Sequence, residues 1–119
     1  MRIFFTLGFL VIFSATSCSQ KNDCTKLPTH FSSYSEALLK IKSSTFKIQE
    51  AVNTSKSSWI KGAYYYSCDG KMGYFILATA QKEYIHSNLP YNVWLSFKSA
   101  GSFGSFYNSY IKHKYQFAL

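Results

Sequence analysis

Trp59-Ile60-Lys61-Gly62-Ala63-Tyr64-Tyr65-Tyr66-Ser67, then Cys68-Asp69-Gly70, then Gly73-Tyr74-Phe75-Ile76-Leu77-Ala78-Thr79-Ala80: this run decides the fold. Aromatic and β-branched residues crowd both arms, and such residues suit a pleated, half-buried surface. Asp-Gly between two apolar arms is a strong hairpin signal. The first arm carries Ile60, Tyr64 and Tyr66, expected on one face. The second is apolar nearly throughout, so it is expected at the centre of a sheet. Gln81-Lys82 then makes a tight turn into Glu83-Tyr84-Ile85-His86-Ser87, a third strand. Upstream, Phe46, Ile48, Glu50 and Val52 alternate with Lys47, Gln49 and Ala51, which predicts a further strand.

Outside this meander the period changes to helical. Ser33-Tyr34-Ser35-Glu36 has the Ser-x-x-Glu form of a capping box, and Ala37, Leu38 and Ile41 follow at helical spacing. A short helix is predicted at about 34–43. Leu89-Pro90 is expected to open a second helix, because proline is tolerated in a first turn. Val93, Trp94 and Phe97 would be its buried side, and Ala100-Gly101 its break. Ser102 would cap a last helix whose Phe103, Phe106, Tyr107, Tyr110 and Ile111 form one apolar stripe. Lys112, His113 and Lys114 fall in its last turn, where positive charge suits the helix dipole. The expectation is an α+β domain: an antiparallel meander of three to four strands, with an N-terminal helix and two C-terminal helices packed on one face.

The first eighteen residues read as an export signal. Met1-Arg2 is a positive end, Ile3 to Phe13 is almost wholly apolar, and Ser14-Ala15-Thr16-Ser17 leads into Cys18. The apolar run is too short to span a hydrocarbon core, which takes about twenty residues. A cysteine directly after the small residues resembles the lipobox of bacterial lipoproteins, although Ala15 stands where leucine is usual. The expected organisation is a signal peptide at 1–17, a lipidated Cys18 with a flexible tether to residue 29, and one globular domain at 30–119. The expected location is the bacterial cell membrane, held from outside by lipid on Cys18. Ser19 follows the cysteine, and no Asp there signals inner-membrane retention, so the outer membrane is preferred.

Composition bounds the chemistry. The chain has 119 residues, enough for one domain with a real core. Loss of residues 1–17 removes Arg2 and leaves twelve lysines against five acids. That balance favours anionic partners. The lysines are scattered singly, as they would be for solubility alone. With Cys18 acylated, Cys24 and Cys68 remain as an even pair in an oxidising compartment, to be joined or left as two thiols. The acids Asp23, Glu36, Glu50, Asp69 and Glu83 form no evident catalytic pair, and His30, His86 and His113 lack metal-ligand spacing. A Cys68–His86 dyad across the meander is weaker than a structural role for a turn cysteine in an exported chain. No catalytic residue, metal or cofactor is expected.

The pieces Ser57-Ser58-Trp59-Ile60, Tyr84-Ile85-His86, Leu89-Pro90 and Ser102-Phe103-Gly104-Ser105-Phe106-Tyr107-Asn108-Ser109-Tyr110-Ile111-Lys112-His113-Lys114-Tyr115 resemble the KTSC domain, named after the C-terminus of certain lysyl-tRNA synthetases. The resemblance covers about 57–115. Ser102, Gly104, Phe106, Tyr107, Asn108, Ile111, Lys112 and Tyr115 match its closing motif. Two positions depart from it: His86 replaces the second tyrosine of a central Tyr-x-Tyr, and His113 stands where glycine is frequent. The family has no firmly assigned activity, and RNA binding is suggested by its place in the synthetases. The expectation is therefore a non-catalytic interaction module for an unidentified protein, glycan or anionic partner, with nucleic acid as the alternative. Candidate ligand-binding residues are Tyr84, His86, Ser102, Gly104, Tyr107, Asn108, Lys112, Lys114 and Tyr115.

Overall fold

The computed structural model describes residues 22–119. Residues 1–17, read from the sequence as a signal peptide, and Cys18 lie outside the described residues. The elements run β1 (Asn22–Asp23), a 3-10 turn (Cys24–Lys26), α1 (Tyr34–Ser43), β2 (Ser44–Thr45), β3 (Ile48–Val52), β4 (Gly62–Ser67), β5 (Met72–Ala78), β6 (Glu83–Pro90), α2 (Tyr91–Lys98) and α3 (Phe103–Phe106), which continues as a π turn (Tyr107–Ile111). The domain is α+β: β3–β6 form a four-stranded antiparallel sheet in sequence order, and β1 pairs with β2 in a short parallel ribbon. The apolar β5 is central, between β4 and β6.

The helices do not share one face of the sheet. Tyr65, Phe75 and Leu77 point to one side and are covered by Trp94 and Phe97 of α2 and by Phe103, Tyr107 and Ile111 of the last helix. Tyr66, Ile76 and Ile85 point to the other side, against Phe31 and against Ala37 and Ile41 of α1. The reason is strand alternation: β4 and β5 carry large apolar groups at consecutive positions, so both faces must be shielded. Ile60 joins the α2 side and not the side of Tyr64 and Tyr66, because it precedes the strand. Aromatic stacking organises the larger layer. The Tyr65 ring lies parallel to Trp94 at 5.5 Å, and its hydroxyl donates to the Leu89 carbonyl at 2.8 Å. Glu50, on the outer strand β3, accepts from Trp94 Nε1 at 2.8 Å and from Lys98 Nζ at 2.9 Å, pinning α2 across the sheet.

Local chemistry sets the boundaries. Ser33 Oγ accepts the Glu36 amide at 3.1 Å, while the Glu36 carboxylate accepts from Ser32 N–H at 2.8 Å. The reciprocal bond thus falls one residue earlier than in a simple capping box. Strand β6 runs through Leu89 and Pro90, and α2 begins at Tyr91 with Pro90 as its extended N-cap. Residues 22–29, read from sequence as tether, are fixed to the domain. Asn22 pairs with Ser44, and Cys24 forms a disulfide with Cys68 at a Cα–Cα distance of 5.8 Å. The bond ties the N-terminal segment to the β4–β5 turn.

Candidate functional site

His86 faces the α2 side of β6 and is 5 % exposed. Its Nδ1 lies 2.9 Å from the Tyr115 carbonyl and its Nε2 lies 2.7 Å from the Tyr107 hydroxyl. A carbonyl only accepts, so Nδ1 carries the proton, and Nε2 of the neutral ring accepts from Tyr107. Burial lowers the imidazole pKa, outweighing the Tyr115 bond that raises it. Burial also pushes the Tyr107 hydroxyl up to about 12. Both ring nitrogens are therefore used inside the protein. His86 braces β6 to the last helix and to the C-terminal segment.

Ser102 and Gly104 also do structural work. Ser102 Oγ accepts the Ser105 amide at 3.2 Å, an ordinary cap on a helix of four residues. A Cβ on Gly104 would stand 2.7 Å from Trp59 Nε1, so the glycine admits the indole of the β3–β4 loop and not the preceding helix. Beyond Phe106 the helix widens into a π turn, closed by the Lys112 amide donating to the Tyr107 carbonyl at 2.9 Å. The extra residue per turn rotates Tyr110 out of the apolar stripe, leaving it 58 % exposed, while Tyr107 and Ile111 stay buried. Lys112, His113 and Lys114 follow the helix and are not in its last turn.

A groove of about 940 Å³ opens at the free edge of β6. Its lining includes Trp59, Lys61, Gln81, Lys82, Tyr84, Asn108, Lys112 and His113, with His86 and Tyr107 at its floor. Tyr84, Asn108 and Lys112 of the candidate residues thus come together on one surface. Ser102 and Gly104 lie in a neighbouring hollow of about 320 Å³ that shares Trp59 and Asn108 with the groove. Lys114 and Tyr115 line neither. Tyr115 packs on the core, with the Lys114 ammonium 5.8 Å from its ring centroid.

The groove is cationic. No carboxylate lines it, and Lys61, Lys82 and Lys112 make no ion pair among the described residues. Glu83, next to Lys82 in sequence, is held by Lys42 at 2.5 and 2.6 Å. The Lys82 ammonium sits 5.2 Å from the ring centroids of both Tyr34 and Tyr84, between two aromatic faces. The Tyr34 hydroxyl accepts the Ile85 amide, satisfying a donor on the free edge of the sheet. Trp59, Lys61, Lys82 and His113 were missed in the sequence reading. The usable signal was Gln81-Lys82 beside Tyr84: the hairpin turn puts Lys82 two residues from Tyr84, near the start of β6.

Catalytic geometry is sparse among the described residues. Asp23, Cys24 and Cys68 are near enough to share a metal ion, but both sulfurs are consumed in the disulfide. Cys68 and His86 are likewise committed to separate structural bonds, so they form no dyad.

No curated protein and no solved structure matches the chain. One family model does, over Thr79 to Tyr115. This stretch starts later than the 57–115 expected from the sequence and leaves Trp59 outside it. It takes in the β5–β6 turn, β6, α2 and the last helix, hence most of the groove. Over residues 79–115 the chain is thus a match to the KTSC domain.

Proposed function

We propose that this protein is a non-catalytic binding module, exported and held to a bacterial membrane, with the outer membrane preferred, through lipid on Cys18. Its β6-edge groove takes an anionic partner. The observation that carries the binding reading is the groove lining: three lysines without an ion-pair partner, exposed aromatics and no carboxylate. Export is supported by the order of charge, apolar run and small residues before Cys18, and by the Cys24–Cys68 disulfide, a bond that persists in oxidising compartments.

Inorganic polyphosphate is a suitable first probe, because it offers charge without rings or hydroxyl-bearing sugars. Wild type is expected to bind it with an affinity that falls as salt rises, since bound lysines release counterions. Lys82→Glu/Lys112→Glu should bind about tenfold more weakly, while Lys26→Glu/Lys47→Glu, outside the groove, should lose far less. Equal losses in the two variants would reduce the effect to net charge and remove the groove as the site. The anchor is tested separately: labelled palmitate should co-migrate with wild type and not with Cys18→Ala.

A further inference from the structure

The sheet has two distinct ends. At one lie Lys61, leading into β4, and the Thr79–Lys82 turn joining β5 to β6, both lining the groove. At the other lie Cys68, Met72 and Pro90, with Cys24 held there by the disulfide. Strand β5 spans the seven residues between them, roughly 20 Å. Cys18 precedes Cys24 by six residues, a reach of at most about 20 Å. The chain leading back to Cys18 leaves the domain at Asn22 in the β1–β2 ribbon, two residues before Cys24, which the disulfide ties to the end of the sheet opposite the groove.

The lining also carries more than charge. Trp59 is 39 % exposed and Tyr84 38 %, and both line the groove with the lysines. Aromatic faces of this kind pack against apolar C–H faces of flat ligands, which pure polyanions lack. Asn108 and Gln81 add amides that both donate and accept, matching hydroxyl groups. Charge, ring faces and amides on one surface fit a chain of pyranose rings bearing carboxylates. We propose that the groove binds an acidic polysaccharide in the aqueous space beyond the membrane surface; this rests on the groove being the anion site. The ammonium groups of Lys82 and Lys112 hold the carboxylates, and Trp59 and Tyr84 carry the sugar faces. A nucleic acid would satisfy the same charges, but the Cys24–Cys68 disulfide favours an oxidising compartment outside the cytosol, where polysaccharide is the commoner polyanion.

The test uses the oxidised protein lipidated on Cys18, with residues 1–17 removed, in zwitterionic nanodiscs. It is titrated with polygalacturonate, neutral dextran, inorganic polyphosphate, a twelve-nucleotide oligothymidine and phosphatidylglycerol vesicles. Polygalacturonate should bind more tightly than polyphosphate of matched charge, and dextran should not bind. Lys82→Glu/Lys112→Glu should weaken polygalacturonate about tenfold. Tyr84→Ala should weaken polygalacturonate by a clearly larger factor than polyphosphate, whose loss is limited to the altered seat of Lys82. Emission from Trp59 in the unmutated protein, read against the buried Trp94, gives a second measure that needs no variant to fold. It should shift with polygalacturonate and not with polyphosphate. Equal affinity for the two polyanions, with no Tyr84 or Trp59 response, overturns the polysaccharide and leaves the anion groove standing. Tighter groove-dependent binding of oligothymidine or of the vesicles overturns it in favour of that ligand. Failure of every polyanion to bind removes the groove reading as well.

Discussion

Replacing Cys24 and Cys68 together by serine opens a loop whose ends are 44 residues apart in sequence. Chain-entropy arguments assign such a cross-link about 4 kcal/mol at 25 °C, because the unfolded chain loses conformations that the folded one never used. A domain of this size has a total stability of about 5–15 kcal/mol, so the bond is a large share of it. Every kilocalorie lost should lower the melting temperature by about 4–8 °C, and the double variant should melt roughly 15–30 °C below wild type. The assay is urea unfolding followed through Trp94, whose indole is fully buried and stacked on Tyr65. The midpoint should fall, and the denaturant slope should rise, because an uncross-linked unfolded chain exposes more surface. Wild type treated with reductant should reproduce the variant. Coincident curves for oxidised wild type and double variant, within about 1 kcal/mol, would refute the entropic reasoning and the assignment of Cys24 to the β4–β5 turn.

Burial holds the folded His86 pKa below that of the unfolded chain, so the contribution of this group is complete above about pH 6.5 and is lost as pH falls through 6.5 toward the folded value. Stability should decline in that window by up to about 1.4 kcal/mol per pH unit, and His86→Gln should flatten the slope in pH-resolved melts. Glu50→Gln should cost about 1–3 kcal/mol by urea unfolding, since the bonds from Trp94 and Lys98 lose their charged acceptor. The Lys98 and Trp94 bonds lower the Glu50 pKa, so wild type should also lose stability as pH falls below about 4.5, and Glu50→Gln less so. Gly104→Ala should displace Trp59 and cost about 1–3 kcal/mol, visible as a change in Trp59 emission.

The strands were legible because their signals are local. Asp69-Gly70 sits at the β4–β5 turn, with Gly70 at φ 83°, and an unbroken apolar run does mark the central strand β5. The polar Gln81-Lys82 turn shows in the same way, closed by the Thr79 amide donating to the Lys82 carbonyl. The layering was harder to see. Tyr65 and Tyr66 are chemically alike, and only the covering elements show that one packs under α2 and the other beside α1. A stretch apolar on both faces announces two covers, and this signal was available in β4 and β5. The π turn was hidden, because Phe103, Phe106, Tyr107, Tyr110 and Ile111 fit an ideal α-helix until Lys112 bonds one residue further back.

Of the candidate site, Tyr84, Asn108 and Lys112 were reached from the sequence, and Trp59, Lys61 and Lys82 were not. The first three belong to one motif-bearing region, whereas the others come from loops brought in by the β4–β5–β6 meander. Periodicity and turn dipeptides are properties of neighbours along the chain, so the sequence alone determined an α+β meander, its central strand and the basic balance. Which imidazole is sealed, which lysine lacks an acid and which end of the sheet carries the disulfide depend on groups tens of residues apart. Those were decided only when burial put His86 under Tyr107, drew Cys24 to Cys68 and left Lys82 between two rings, because solvent exclusion and charge pairing act through space and not along the backbone.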